Sequence, residues 1–387
     1  MASSYVASSY EVLIVGRFVA GLNAGITSAI APMYMTEISP LKIRGVFGGL
    51  YECFHVFGIL LSEIIGLPFL LGKAGLWPVL FGLAVIPSLF QLFTFPFCPE
   101  SPKYLLMDKD KPGEAKKELE RLRGSVRYDQ EWEVMLQEKE DLHHRKELPI
   151  RKFLKNKFLM RVALIAGVVT SSSQLCGHDT VIYYSTGIFR SGGLTGDSAE
   201  YATVGVGGVL LVSTIAATLF VDHVGRRILL LFGLGAMCVL TAMLTVFLAL
   251  FEKAHPNGCE SGTVGAGYEW TPYATMVVIF LLLVTFAIGP GTIPPFITDE
   301  LFTDDARPAA SSLALAILWI SELILVGTFP IIQSVIGAYT FVIYAVLLVF
   351  YFAFTFFQLP ETKGREIEEV VEELKQKYGK RAGSRDS

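Results

Sequence analysis

The sequence predicts an all-α membrane protein that crosses a bilayer many times and is built from two similar halves. Three observations carry this. Hydrophobic residues make up 52% of the 387 positions and charged residues 18%, too apolar for an ordinary soluble domain of this length. Nine stretches are long enough to cross a bilayer, for which roughly 20 apolar residues are needed. Two short motifs also occur twice. Glu37-Ile-Ser-Pro-Leu-Lys-Ile-Arg44 returns as Glu300-Leu-Phe-Thr-Asp-Asp-Ala-Arg307, and Pro99-Glu100-Ser-Pro-Lys103 returns as Pro360-Glu361-Thr-Lys363. The spacing between copies is about 260 residues, and a repeat of that period in an apolar chain means two similar membrane halves.

In chain order the expected spans are Tyr10–Tyr34, Val46–Leu71 and Leu76–Phe97, which form an N-terminal half over residues 1–98. Residues 99–157 follow as a polar, cytoplasmic helical linker. Within it Pro112–Arg123 reads as a helix, with proline at its start and Gly124 at its end. Asp129–Lys146 reads as a second, charged helix whose sparse apolar residues (Trp132, Val134, Met135, Leu142) rest it on the cytoplasmic face. Six further spans make a C-terminal half over residues 158–359: Phe158–Phe189, Tyr201–Val221, Ile228–Phe251, Tyr273–Ile297, Ala309–Val335 and Ala338–Gln358. Residues 360–387 form a cytoplasmic tail, in which Ile367–Tyr378 is Glu-rich at its start and Lys-rich at its end, as the helix dipole favours.

Basic residues orient the spans. One set of loops and ends (Glu37–Arg44, Pro99–Arg161, Asp222–Arg227, Glu300–Arg307 and the tail) holds 28 of the 32 Lys and Arg. That side is the cytoplasm. The net charge of −4 is a poor guide, because acidic residues crowd the same loops. Nine spans place the N-terminus outside, yet residues 1–10 are polar and uncharged, with no cleavable signal character. Three more helices upstream would restore a cytoplasmic start; a reverse signal anchor at Tyr10–Tyr34 is the alternative. Of the five cysteines only Cys259 falls in an external loop, so no disulfide framework is expected.

Further residues fall in a recognisable order: Gly16-Arg17-Phe18, Glu37 to Gly45, Pro99 to Leu105, Gln174-Leu-Cys-Gly177, Tyr183-Tyr184, Asp222-His-Val-Gly-Arg226-Arg227, Gly289-Pro-Gly291, Glu300-Leu-Phe, Arg307-Pro-Ala-Ala310 and Pro360 to Arg365. Together they resemble the facilitative glucose transporter family, the sugar-porter branch of the major facilitator superfamily. The resemblance implies the twelve-helix fold of that superfamily, with about nine of the twelve transmembrane helices present and residue 1 in the loop between the third and fourth. It implies a chain shortened at its N-terminus, and from this follows the alternative that the chain as it stands does not transport. It also implies a cytoplasmic gate of Glu37, Arg44, Glu100, Asp222, Arg226, Arg227, Glu300, Arg307 and Glu361. Opposite charges at these helix ends pair across the halves when the gate closes. Each exposed pair is worth only about 0–1 kcal/mol, but a network can bias a two-state equilibrium.

Polar and ionisable residues inside spans are functional candidates by default. Glu52, His55 and Glu63 lie in the second span. Gln174, His178 and Asp179 lie in the fourth, with Gln174 and His178 on one face by i, i+4 spacing. Trp319 and Glu322 share a face of the eighth by i, i+3. Amides and carboxylates suit sugar hydroxyls and aromatic rings suit the apolar sugar face. The candidate substrate site is therefore Gln174, Asp179, Tyr183, Glu52, His178, Phe286, Trp319 and Glu322. Gly177, Gly289-Pro290-Gly291 and Pro294-Pro295 are helix breakers, of the kind found where transporters bind and gate.

Against glucose-selective members of the family the chain departs at several positions. Ser173 replaces a glutamine, Asp179, Leu210, Leu318 and Glu322 replace asparagines, Ala287 a glutamate, Pro295 a tryptophan and Glu52 a glutamine. Cys176 stands where serine goes with glucose preference. The pattern resembles the fructose-type subgroup, or a diverged member with another polar substrate. The carboxylates at Glu52, Asp179 and Glu322 admit proton coupling, or pair with neighbours such as His55 and His178 and only shape the pocket.

The expected function is facilitated diffusion of a hexose, fructose or glucose, by alternating access. The alternatives are a fragment that does not transport and a proton-coupled sugar symporter. There is no nucleotide loop, metal spacing or nucleophile constellation, so neither an enzyme nor a cofactor is expected. The expected partners are the hexose and the lipid bilayer, with no nucleic acid and no obligate protein partner. The expected location is the plasma membrane, with the C-terminus cytoplasmic.

Overall fold

The computed structural model describes residues 10–40, 43–73, 75–124, 128–144, 148–194, 196–220, 225–254, 270–303, 305–363, 365 and 367–378, and its regular elements there are helices. Cys259 and Asp222 lie outside the described residues, as does the side chain of Arg44. The chain divides into two compact units, residues 1–146 and 147–387.

In the first unit α1 (Tyr10–Ile38) packs on α2 (Arg44–Ile65). The third expected span is not one helix. It is α3 (Trp77–Gly82), α4 (Val85–Thr94) and a 3-10 turn, Phe95–Phe97. The interruption follows from Pro87, which lacks an N–H and whose ring clashes with the carbonyl four residues back, at Leu83. The soluble helices are α5 (Pro102–Met107), α6 (Pro112–Arg123) and α7 (Asp129–His144). Ser101 caps α5, its hydroxyl accepting the Tyr104 N–H at 3.2 Å. Gly124 leaves α6 at φ +59°, the left-handed conformation that favours glycine. Leu105, Leu106, Ala115, Leu119 and Met135 form a small core with Tyr128 and Trp132 against it. Trp132 and Met135 of α7 thus pack with α5 and α6, whereas Val134 and Leu136 stay exposed; the side chain of Leu142 lies outside the described residues.

The second unit runs α8 (Ile150–Lys155), α9 (Lys157–Leu175), α10 (His178–Ser191), α11 (Ser198–Phe220), α12 (Arg226–Ala254), α13 (Thr271–Ile288), α14 (Ile293–Glu300), α15 (Arg307–Ile336), a 3-10 turn at Gly337–Tyr339, α16 (Thr340–Gln358) and α17 (Ile367–Tyr378). α12 packs on α13 and α16, α9 on α15, and α11 on α13. Their shared core includes Val162, Val169, Leu230, Leu234, Met237, Ile297, Phe302, Leu348 and Tyr351. α17 belongs to it too, through buried Val370, Leu374 and Tyr378. Arg161 donates to the Tyr378 carbonyl at 3.0 Å, and Lys377 donates to the Phe357 carbonyl at 2.9 Å.

Seven stretches among the described residues are long and apolar enough to cross a bilayer, and the last, Arg307–Gln358, contains both α15 and α16. Eight of the nine expected spans are matched in this way. The expected span Val46–Leu71 corresponds to α2, which carries Glu52 and Glu63 and is not among the seven.

Candidate functional site

Two breaks in the second unit organise the site. The first separates α9 from α10. Gly177 takes φ +89° there, and a Cβ on it would come within 3.0 Å of the Tyr344 ring. Both conditions require glycine: the left-handed backbone and the aromatic ring behind it. This break corrects the i, i+4 reading of Gln174 and His178. The helix stops at Leu175 and restarts at His178, so the two residues sit on different helices and the 3.6-residue period does not run between them. Trp319 and Glu322 keep their period, because α15 is continuous.

The second break lies at Gly289–Thr292, between α13 and α14. Here α12 comes close: a Cβ on Gly233 would be 2.7 Å from Pro290 Cδ and 2.9 Å from Gly289 Cα. Pro294 and Pro295 were expected to break a helix. They instead stand in the first turn of α14, where a missing N–H costs nothing. The two breaks are joined by a ring stack, with His178 on Phe286 at 3.4 Å between centroids and 13° between planes.

At the first break, polar side chains from three helices converge. Tyr183 of α10 donates to Glu322 Oε1 at 2.8 Å. Gln174 Nε2, from α9, donates to Glu322 Oε2 at 3.4 Å. The Ser173 hydroxyl, which donates to the Thr170 carbonyl at 2.8 Å, shares its one proton with Gln174 Oε1 at 3.2 Å. Tyr183 and Trp319 are 56% and 41% exposed, so the cluster is open on one side. Beneath it, His178 and Asp179 are buried and paired, Nε2 to Oδ1, at 3.0 Å. The structure therefore brings seven of the eight candidate substrate residues into the second unit. The eighth, Glu52, belongs to the first unit and pairs there with His55 at 3.5 Å, both about half exposed. Tyr344, which backs Gly177 and accepts from Thr180 at 3.2 Å, carried no signal in the sequence. It looks like one more aromatic in the apolar run of α16.

The chemistry of the cluster is that of polyol recognition. Gln174 offers both donors and an acceptor, Tyr183 a hydroxyl that can do either, Glu322 acceptors only, and Trp319 a ring face. None of these is a nucleophile activated by a base.

The charged repeats are tied down locally, each copy in its own unit. In the first, Glu37 accepts from the Ser101 hydroxyl at 2.5 Å, and Tyr34 donates to the Pro99 carbonyl at 2.6 Å. Glu100 accepts the N–H of Ser101 at 3.2 Å, and its repeat Glu361 accepts that of Thr362 at 3.2 Å. The duplicated Pro-Glu motif thus builds the same local turn twice. In the second unit Arg226 and Glu300 form an ion pair at 2.8 Å, each about one-fifth exposed. Arg226 opens α12 and Glu300 closes α14, so each charge opposes the dipole of its own helix, and the pair offsets both. Arg307 also opens a helix and donates to the Phe302 carbonyl at 3.5 Å. Arg227 turns away from this group. It reaches the last turn of α16, donating to the Phe356 carbonyl at 2.6 Å and lying over the Phe356 ring. Cys53, Cys98, Cys176 and Cys238 are free thiols.

Residues 1–374 match the family model described as "Sugar (and other) transporter". The chain is 40% identical over 370 residues to the human solute carrier family 2, facilitated glucose transporter member 4, covering 96% of this chain and 70% of that protein. It is 37% identical over 376 residues to member 1 from Gallus gallus, covering 97% and 74%. Among solved structures it is similar to the major facilitator superfamily proton:xylose symporter XylE bound to 6-bromo-6-deoxy-D-glucose, with a TM-score of 0.73, 24% identity and coverage of 96% and 75%. The inward-open conformation of XylE from E. coli matches with a TM-score of 0.72, 23% identity and coverage of 95% and 74%. These likenesses establish the helical fold of that superfamily.

Proposed function

The chain belongs to the sugar transporter family, and from that premise we propose that it moves a hexose across a membrane by facilitated diffusion with alternating access. It is an integral, multi-pass membrane protein, and its relatives are transporters rather than enzymes. The observation that carries the reading is the open cluster of Gln174, Tyr183, Glu322 and Trp319 at the α9–α10 break. A sugar hydroxyl entering it can exchange with the long Gln174–Glu322 contact, while its ring lies against Trp319. Each such hydrogen bond is worth about 0.5–1.5 kcal/mol net. Several together suit a carrier, which must release what it binds.

The breaks supply the moving parts. At Gly177 and Gly289–Thr292 the α-helical ladder stops, so α10 and α14 can shift against the helices before them. His178 and Phe286 couple the two shifts through their stack. The Arg226–Glu300 pair is our candidate for the charged latch of the second unit, with Arg307 and Glu361 nearby in sequence register and Glu37 and Glu100 as their counterparts in the first. We assign the C-terminus to the cytoplasm on the basic residues gathered in one set of loops, and the protein to the plasma membrane on its family resemblance. The substitutions at Ser173, Cys176 and Asp179 favour fructose over glucose.

The test is uptake of radiolabelled glucose and fructose into vesicles, wild type against Gln174→Ala. Failure of the wild type to take up either sugar overturns the hexose reading. Equal uptake by the two proteins removes Gln174 from the site.

A further inference from the structure

Among the carboxylates inside the apolar helices, Glu322 is held differently from Glu52 and Asp179. Glu52 has the imidazole of His55 and Asp179 that of His178. Glu322 lies midway along the 30-residue α15. Its two contacts are the neutral donors Tyr183 and Gln174, at 2.8 and 3.4 Å. Among the described residues no Lys, Arg or His nitrogen comes within the 4.0 Å of an ion pair with it. An anion in a transmembrane helix is costly and as a rule finds a partner or lines a polar path. Two neutral donors leave acceptor capacity on a carboxylate that can take about four hydrogen bonds. The cluster is open at Tyr183 and Trp319, so the missing counter-charge can arrive with the ligand.

We infer that the site takes a cationic sugar, a protonated 2-amino-2-deoxyhexose, with its ammonium group on Glu322, in preference to the uncharged hexose of the same ring. This rests on the hexose reading above and narrows it. The ring and remaining hydroxyls meet the same surfaces in both ligands: Trp319, the Gln174 amide and the Tyr183 hydroxyl. Only the group on Glu322 changes, from a hydroxyl that can donate once to an ammonium with three donors and no acceptor. A hydroxyl on a carboxylate and an ammonium on an amide each have one ionised partner. Only the ammonium on the carboxylate pairs opposite charges, so the advantage of the amino sugar depends on the charge of Glu322.

The experiment is competition against a bound radiolabelled hexose, with purified full-chain protein in liposomes at pH 6.5. The competitors are the amino hexose and the corresponding hexose, which carries a hydroxyl in place of the ammonium. The expected result is a preference of about ten-fold for the amino sugar in the wild type. The ratio of the two competition constants falls to near one in Glu322→Gln, whatever that change does to each constant, and persists in Glu322→Asp. A second measurement needs no variant. In the wild type the preference fades as pH rises past the amine's range, near about 8, while competition by the neutral sugar stays level. A wild-type ratio near one at pH 6.5, or a preference that survives in Glu322→Gln, overturns the inference and leaves the hexose reading standing. Absence of hexose binding by the wild type overturns both.

Discussion

None of the apolar window of α1 is buried, whereas 56% of the window of Lys157–Ser191 is. Both stretches are apolar enough to cross a bilayer, so hydrophobicity sends both into lipid and decides nothing further. The difference lies in what the small residues meet. α1 carries Gly21 and Gly25 four apart, a spacing that lets helices approach closely, yet nothing stands within 4 Å of a Cβ on either. In the second unit Gly177, Gly233 and Gly289 all face a ring or another backbone. α9 also carries Ser171, Ser172 and Ser173, all buried, with hydroxyls bonded back to the carbonyls three residues before them. Ser171 in addition meets the Tyr351 hydroxyl of α16 at 3.0 Å. Membrane insertion and helix packing are thus written in different residues, and only the second is specific to partners.

Glycine substitution should separate the units most. Gly233→Ala forces a methyl against Pro290 and Gly289, and overpacking of this kind costs about 1–3 kcal/mol. The detergent-solubilised protein should melt several degrees lower and lose hexose uptake. Gly21→Ala should leave melting unchanged or raise it slightly, since alanine is better than glycine in a helix by about 0.5–1 kcal/mol. Equal shifts for the two would break the contrast in packing.

Next in size is the polar cluster. Gln174→Ala should lower kcat/KM for hexose uptake by about ten-fold, the equivalent of roughly 1.4 kcal/mol. Glu52→Ala, in the half-exposed pair of the first unit, should cost less than about three-fold, within the range of a surface ion pair. A loss at Glu52 as large as that at Gln174 would show that both units line the substrate path.

The charged pairs give a finer scale. A double-mutant cycle on Arg226→Gln and Glu300→Gln, read by thermal unfolding, should return a coupling of about 1 kcal/mol. The exposed pair Lys111–Glu114, at 2.9 Å within the first unit, should return less than about 0.5 kcal/mol. If the two couplings are equal, burial of the second unit's charges contributes nothing to their pairing.

Of the soluble helices, α6, α7 and α17 were legible almost to the residue, because Pro112 and Gly124 mark α6 in local backbone terms and the dipole pattern of Glu and Lys marks α17. The helices α5 and α8, six residues each, are too short to show a period. Gly177 was legible as a break, but its effect on neighbours was not. Once the helix restarts at His178, spacing no longer reports which face a residue occupies, and Gln174 and His178 separate. Pro87 was overlooked as an interruption because it sits in an otherwise uniform apolar run, where composition hides a missing hydrogen bond. The gate charges were visible as charges, but partner choice is a tertiary property. Arg226 and Arg227 are adjacent, and one goes to Glu300 while the other crosses to the carbonyl of Phe356. Tyr344 was invisible for a related reason: an aromatic against a glycine and an aromatic against lipid read alike.

α17 is formally a tail, but its Val370, Leu374 and Tyr378 lie in the core that also holds Phe153 and Phe302. A premature stop near Pro360 would do more than shorten the protein. It would lay bare an apolar scar and strip the last turn of α16 of the lysine that covers the Phe357 carbonyl. Cells clear proteins that display such scars. Alleles damaged in this segment would therefore reveal themselves as low abundance at the membrane, and kinetic assays on the surviving molecules would find little wrong.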